Sequence, residues 1–324
     1  MTKVSVIIAV YGAEKYIEKC ARSLFEQTLD DIEYIFVDDC TPDKSMDILI
    51  SVINDYPNRK NQVKIIHNET NLKQGGTRAI GMKAATGDYL IHCDPDDWVE
   101  HNMYELLYNK AIEDNADIVV CDFYHELPSN IKKIEHFSPI SNPIDCINKS
   151  AESNYWWSLC NRLFHKKFTS TYKIFPPVDL NYLEDKYQCI KCYIKASNIS
   201  YISIPLYHYL RANLSSTCNT LNKDIEIKGQ INCLNKLIHY FKSENVYQQL
   251  LPFVYLHKIN LRDRFLTYNP ITFAKWRIVY PEIVTEIIND KKLKATYRFC
   301  YWLAHKGISI PLRIYISISN LRNS

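Results

Sequence analysis

The chain has 324 residues, 47% of them hydrophobic and 23% charged. These values lie near globular averages and exclude a disordered chain, and the length is enough for two domains. The formal net charge of +3 conceals an asymmetry, because seven of the 39 basic residues and none of the 36 acidic ones lie after Asp290. Residues 1–290 therefore carry −4 and the tail +7. Met1-Thr2-Lys3 leads straight into a strand-like run, so no secretory signal is expected. The 11 cysteines have no regular spacing and read as reduced thiols of a cytosolic protein. Cys189-Ile190-Lys191-Cys192 has no second CxxC and falls in a helical pattern, which favours ordinary helix residues over half a zinc site or a redox pair.

Val4 to Val10 is a continuous β-branched run, as expected of a strand covered on both faces. A helical pattern runs from Glu14 to about Gln27, with Tyr16, Ile17, Cys20, Leu24 and Phe25 on one stripe. Strand Ile32–Val37, helix Ser45 to about Tyr56, strand Val63–His67 and helix Gly75–Ala85 follow. Tyr89–Cys93 and Ile118–Phe123 are strands separated by a helix around Met103 to Asn115. Alternation of this kind predicts an α/β fold, a mostly parallel sheet with helices on both faces. Ligands of such sheets bind at the carboxyl ends of the strands. Those ends carry Val10 and Tyr11, Asp38 and Asp39, His67 and Asn68, and Asp94 to Asp97. Four of the seven glycines (75, 76, 81 and 87) lie between the third and fourth strands. They suit either a close backbone approach or simple turn chemistry.

The sharpest signal is Asp94-Pro95-Asp96-Asp97 at the end of the fourth strand. Close carboxylates raise one another's pKa unless a cation or donors compensate, so the cluster points to a divalent metal. Pro95 holds Asp94 in an extended turn. Oxygen ligands suit Mg2+ or Mn2+, completed by water and substrate phosphates. The alternative is a solvated acidic turn, or a helix cap for the segment starting near Val99.

Five blocks in order over about 100 residues resemble the family 2 glycosyltransferases. They are Val4 to Tyr11, Ser23-Leu24-Phe25-Glu26-Gln27-Thr28, Phe36 to Asp43, Asn71 to Gly81, and Ala85 to Tyr89 running into Asp94 to Asp97. The resemblance implies a GT-A fold, Rossmann-like, with a nucleotide-sugar-binding part over 1–125 and an acceptor and catalytic-base part over 126–222. A helical C-terminal region over 223–324 follows. It also implies that Asp39, with Asp38 beside it, reads a nucleobase, normally uracil. A carboxylate accepts from an imide N–H. Arg78 lies near the nucleotide, and Val10, Tyr11, Asp94, Pro95 and Asp96 complete the donor site. Asp96 and Asp97 hold the metal, with His208 a candidate third ligand or, alternatively, a ring packed between Tyr207 and Tyr209. Leu183-Glu184-Asp185-Lys186-Tyr187 matches the Glu-Asp pair that supplies the base, assigned to Asp185. A capping pair at a helix N-terminus is the competing reading.

Cys160-Asn161-Arg162-Leu163-Phe164 and Pro205 to Ser215 fit less tightly. Cys40 and Pro42 replace the usual Gly and Thr, Gly12 and Ala79 each replace an Asn, and Arg211 lies one position early. The activity implied is inverting, metal-dependent sugar transfer from a nucleotide-diphosphate donor, most simply a UDP-sugar. The acceptor would be a saccharide or lipid-linked saccharide in surface polysaccharide synthesis. The alternatives are a non-catalytic nucleotide-binding or scaffolding homologue, or a sugar-phosphate nucleotidylyltransferase. The latter needs a glycine-rich, arginine-containing loop that Tyr11-Gly12-Ala13-Glu14-Lys15 does not provide.

In the tail, Lys291, Lys292, Lys294, Arg298, Lys306, Arg313 and Arg322 interleave with aromatic and aliphatic residues. This suits an anionic membrane surface, on the inner face of the plasma membrane for a cytoplasmic protein. A helix docked on the protein's own core would look similar. No stretch reaches the length of a spanning helix, and no nucleic-acid module is recognisable.

Overall fold

The computed structural model describes residues 2–127, 132–138, 141–151, 157–177, 179–180, 182–211, 222–268 and 273–323. Residues 212–215 of the segment after Arg211, and Cys218, lie outside them. The chain divides into two compact units, Met1–Cys146 with Trp156–Asn222, and Ile147–Tyr155 with Lys223–Ser324.

The first unit is built on a nine-stranded sheet. Its strands are β1 (Val4–Val10), β2 (Ile32–Asp38), β3 (Val63–His67), β4 (Tyr89–His92), β5 (Trp98–Val99), β6 (Ile118–Glu126), β7 (Lys132–Glu135), β8 (Arg162–His165) and β9 (Ile199–Leu210). The order is β3-β2-β1-β4-β8-β6-β9-β5, with β7 on β6. β3, β2, β1 and β4 pair in parallel, as their unbroken apolar runs require. Beyond β4 the sheet is mixed: β8 is antiparallel to both β4 and β6, and β9 runs parallel to β6. This half was not legible as alternation, because its strands carry polar residues that find cross-strand partners.

The helices of the parallel half are α1 (Ile17–Phe25), α2 (Ser45–Asp55) and α3 (Lys73–Ala84), followed by α4 (Met103–Glu113). α1 starts three residues later than its pattern suggests. The preceding turn is latched to the β2–α2 loop instead, with the Ala13 amide donating to Ser45 Oγ and the Glu14 amide to Asp43, each at 2.9 Å. β6 extends three residues beyond the expected Phe123 through His125 and Glu126. α5 (Pro143–Ser150), α6 (Lys166–Thr171) and α7 (Glu184–Lys195) follow. Cys189 and Cys192 are buried core residues of α7, and burial pushes the Cys189 thiol up to about 12.

The second unit is helical: α8 (Lys223–Ser243), α9 (Leu251–Tyr268), α10 (Phe273–Ile278), α11 (Val284–Asn289), α12 (Ala295–His305) and α13 (Ile310–Asn323). Its core gathers Trp276, Ile283, Ile287, Tyr301, Leu312 and Ile316. Among the described residues no helix is long and apolar enough to cross a membrane.

Candidate active site

Register brings the parallel strand ends into one row, with Val10 opposite Asp38 and Asp38 opposite His67. Val10 is buried and its carbonyl accepts from the Asp39 amide at 3.0 Å, while Tyr11 beyond it is exposed. Asp38 is used by the loop itself: it accepts from the Thr41 amide at 2.9 Å and meets His67 Nδ1 at 2.9 Å. Asp39 is buried, and its Oδ1 accepts from Asn68 Nδ2 at 2.8 Å and the Leu72 amide at 2.7 Å. Two donors from the β3–α3 connection thus orient one carboxylate at the strand end.

Cys40 has φ +58°, a left-handed conformation that favours glycine. Its thiol donates to the Asn68 carbonyl at 3.1 Å.

Arg78, on α3, is the hub. Its side chain is buried, Nη2 donates to Asp94 Oδ1 at 2.6 Å, and Nη1 donates to Glu184 Oε1 at 3.1 Å. The two carboxylates raise its pKa against the opposing effect of burial. One guanidinium therefore joins the turn after β4 to the start of α7, where Glu184 lies 106 residues beyond Arg78 in the chain. Gln74, one turn earlier on α3, adds a 3.2 Å bond to Asp94. The approach of α3 to α7 depends on Gly75. A Cβ there would lie 2.9 Å from the Pro177 carbonyl oxygen and 3.6 Å from Glu184 Cγ.

Glu184 is buried, and its pKa is raised by burial although Arg78 opposes the shift. Asp185 is half-buried and pushed up to about 7, first by burial and then by the Glu184 charge. Its Oδ1 accepts from the Lys186 amide at 2.6 Å at the start of α7. A carboxylate poised near neutrality suits a general base.

Two of the three expected metal ligands are committed elsewhere. Asp97 is buried, with Oδ2 accepting from Tyr207 Oη at 2.5 Å and Oδ1 from the Leu210 amide at 2.8 Å. It ties the turn to β9. Burial and the neighbouring Asp96 and Asp94 carboxylates push its pKa well up, the mutual repulsion expected of the cluster. His208 is buried between two carboxylates, with Nδ1 2.7 Å from Glu126 and Nε2 2.9 Å from Glu100. Its ring stacks on Trp98, 5.1 Å away, and on Tyr124, 4.7 Å away. The rings packed on His208 are thus those of Trp98 and Tyr124.

Among the described residues no three His, Cys, Asp or Glu side chains form a metal cage. Asp94 and half-buried Asp96, flanking Pro95, are the other two carboxylates of the turn. A Mg2+ or Mn2+ ion is typically held by one or two carboxylates and substrate phosphates, so this donor set fits.

Sequence reasoning gave no role to Tyr207, whose hydroxyl also accepts from the Asp94 amide at 3.2 Å, or to Gln74. Tyr207 had no local signal, since its role depends on Val99 pairing with it across β5 and β9.

The fold is that of the GT-A glycosyltransferases. The description "Glycosyl transferase family 2" matches residues 5–169, about half of the chain. The chain belongs to this family. It is 31% identical over 235 residues to the putative glycosyltransferase EpsH of Bacillus subtilis (strain 168), a match covering 70% of this chain and 65% of that protein. It is 27% identical over 349 residues to the cholesterol galactosyltransferase of Borreliella burgdorferi, covering 98% of this chain and 92% of that one. The crystal structure of S. aureus TarS 1-349 in complex with UDP-GlcNAc shares the fold at 18% identity, with a TM-score of 0.73 over 100% of this chain and 93% of that one.

Proposed function

We propose that the protein is an inverting, metal-dependent glycosyltransferase that moves a sugar from a UDP-sugar to a saccharide or lipid-linked saccharide in surface polysaccharide synthesis. The observation that carries this reading is the Arg78 bridge. It links the Asp94 turn, where a donor diphosphate belongs, to the Glu184-Asp185 pair, where an acceptor would be activated. The relatives named above include one that acts on a sterol, and the TarS complex holds UDP-GlcNAc, which agrees with a lipid-borne acceptor and a uridine donor.

In this reading Asp39, steered by Asn68 and the Leu72 amide, accepts from the nucleobase imide. Val10, Tyr11 and Asp38 form the floor beside it. Arg78, Pro95 and Asp96 complete the donor site, and Arg78 orients Asp94. Asp94 and Asp96 would hold Mn2+ or Mg2+, which when bound stabilises the charge on the departing diphosphate. Asp185 takes the proton of the acceptor hydroxyl. The hydroxyl oxygen then bonds to the anomeric carbon from the face opposite the diphosphate as the old carbon–oxygen bond breaks. The anomeric configuration inverts. Glu184, fixed by Arg78, sets the position of Asp185 and helps raise its pKa to about 7. The free thiols and the nucleotide donor favour a cytoplasmic site of action.

The test is thermal stabilisation by UDP, GDP and CDP, each with and without Mn2+, followed by hydrolysis of the matching nucleotide sugar. A metal-dependent shift with UDP is expected. No shift with any nucleotide would remove the donor reading.

A further inference from the structure

α13 is apolar on two faces. Leu312 and Ile316 are buried in the core of the helical unit, whereas Ile310, Ile314 and Ile318 follow one another at single-turn spacing on the other side and are 48% to 66% exposed. A soluble surface helix normally carries polar residues on that side. The neighbouring α12 repeats the arrangement. Tyr297, Tyr301 and Ala304 are buried, while Phe299 and Trp302 are 58% and 41% exposed and stack on each other with ring centroids 6.0 Å apart. Ile308, in the connection between the helices, is exposed as well. Isolated exposed apolar residues are ordinary, but a group of six large ones within twenty residues marks an interaction surface.

The charge around this group selects its partner. Lys291, Lys292, Lys294 and Lys306 are exposed, and residues 291–324 contain no acidic residue. A second copy docking through the same patch would set one basic segment against another, which like-charge repulsion opposes. An anionic bilayer surface offers both an apolar depth for the isoleucines and aromatic rings and a negative headgroup layer for the lysines. Tryptophan is enriched at that depth.

We infer that Phe299, Trp302, Ile308, Ile310, Ile314 and Ile318, together with the exposed lysines of residues 291–306, form a docking surface for an anionic lipid bilayer, with α12 and α13 lying in its plane. The inference deepens the proposed lipid-linked acceptor, and rests on that reading only for its purpose. Vesicle binding is measured without any sugar donor, so the two fail separately: a chain that binds vesicles yet responds to no nucleotide keeps this surface and loses the transferase reading.

The experiment is flotation of the full chain with vesicles of phosphatidylcholine alone and with phosphatidylglycerol added. Binding to the anionic vesicles only, reversed by high salt, is expected. Lys291→Gln with Lys292→Gln should weaken binding about 30-fold, from the attraction of each cation to the surface. Trp302→Ser with Ile314→Asn should abolish it, and both changes lie on exposed positions, so the thermal melt without vesicles should stay as in the parent chain. Three results would overturn the inference: no flotation, equal binding to neutral vesicles, or concentration-dependent dimers that Trp302→Ser dissolves in a chain that does not float.

Discussion

Asp185 in the sheet unit and Asp263 in the helical unit are both pushed up to about 7 by burial, yet their surroundings differ in kind. Asp185 sits at a helix start beside Glu184, whose partner Arg78 also grips the Asp94 turn. Asp263 accepts from Tyr297 Oη at 2.7 Å, its other oxygen has no partner, and it lies among groups that serve only one another. Its neighbour Arg262 is packed 4.3 Å from the Trp276 ring, donating to Tyr301 Oη at 2.8 Å and to the Val279 carbonyl. A perturbed carboxylate marks a site only when the groups that perturb it converge with other strand-end chemistry, and the helical unit supplies the internal control.

The strongest way to break this contrast is a pair of isosteric changes. Asp185→Asn should lower nucleotide-sugar turnover about 10²–10⁴-fold, the usual worth of a general base, with UDP binding retained. Asp263→Asn should leave turnover within about twofold, since nothing around it touches the proposed reaction. Equal losses in steady-state assays of the two variants would erase the distinction.

The arginines sharpen it next. Arg78→Met leaves the Asp94 and Glu184 carboxylates without their shared cation and should cost about 3–5 kcal/mol in urea unfolding, together with the thermal shift produced by UDP. Arg262→Met breaks hydrogen bonds to a hydroxyl and a carbonyl, so about 1–3 kcal/mol is expected, with the UDP shift intact.

The smallest effect is in pH dependence. Both aspartates have folded pKa values above the roughly 3.9 of an unfolded chain. Their stabilising contribution is therefore fully present below about pH 4 and is lost as pH rises through about 7. Asp263→Asn should remove part of this loss and unfold at higher urea than the parent by about 1–2 kcal/mol near pH 8, while matching it near pH 4. The catalytic limb governed by Asp185 runs the other way. It should climb as the base ionises through about 7 and keep its midpoint in Asp263→Asn, as read from a pH–rate profile.

The parallel half of the sheet was readable because β1 and β2 bury nearly every side chain, and such strands announce themselves as continuous apolar runs. The strand-end carboxylates were readable for the same reason, as each run stops at a polar residue. His208 and Asp97 were not. Their partners come from Glu100, Glu126, Tyr207 and Leu210, more than 80 residues from one or the other in every case, and no local spacing carries that information. The left-handed backbone of Cys40 was not legible either, because residue type alone does not say whether a non-glycine residue holds such a turn. The outward row of α13 was hidden by composition. Isoleucines on both sides of a helix read as one apolar segment until the buried side is known.

The Arg78 bridge also sets an order on how the site can be completed during synthesis. β1 to β4 and α3 are finished once residue 92 has been made, and Arg78 can meet Asp94 two residues later. Its second carboxylate does not exist until Glu184 is added, after the residues of β6 and β8 have been made. The Arg78–Asp94 half of the bridge can therefore form before the Arg78–Glu184 half, and the second contact closes a loop that spans most of the sheet unit.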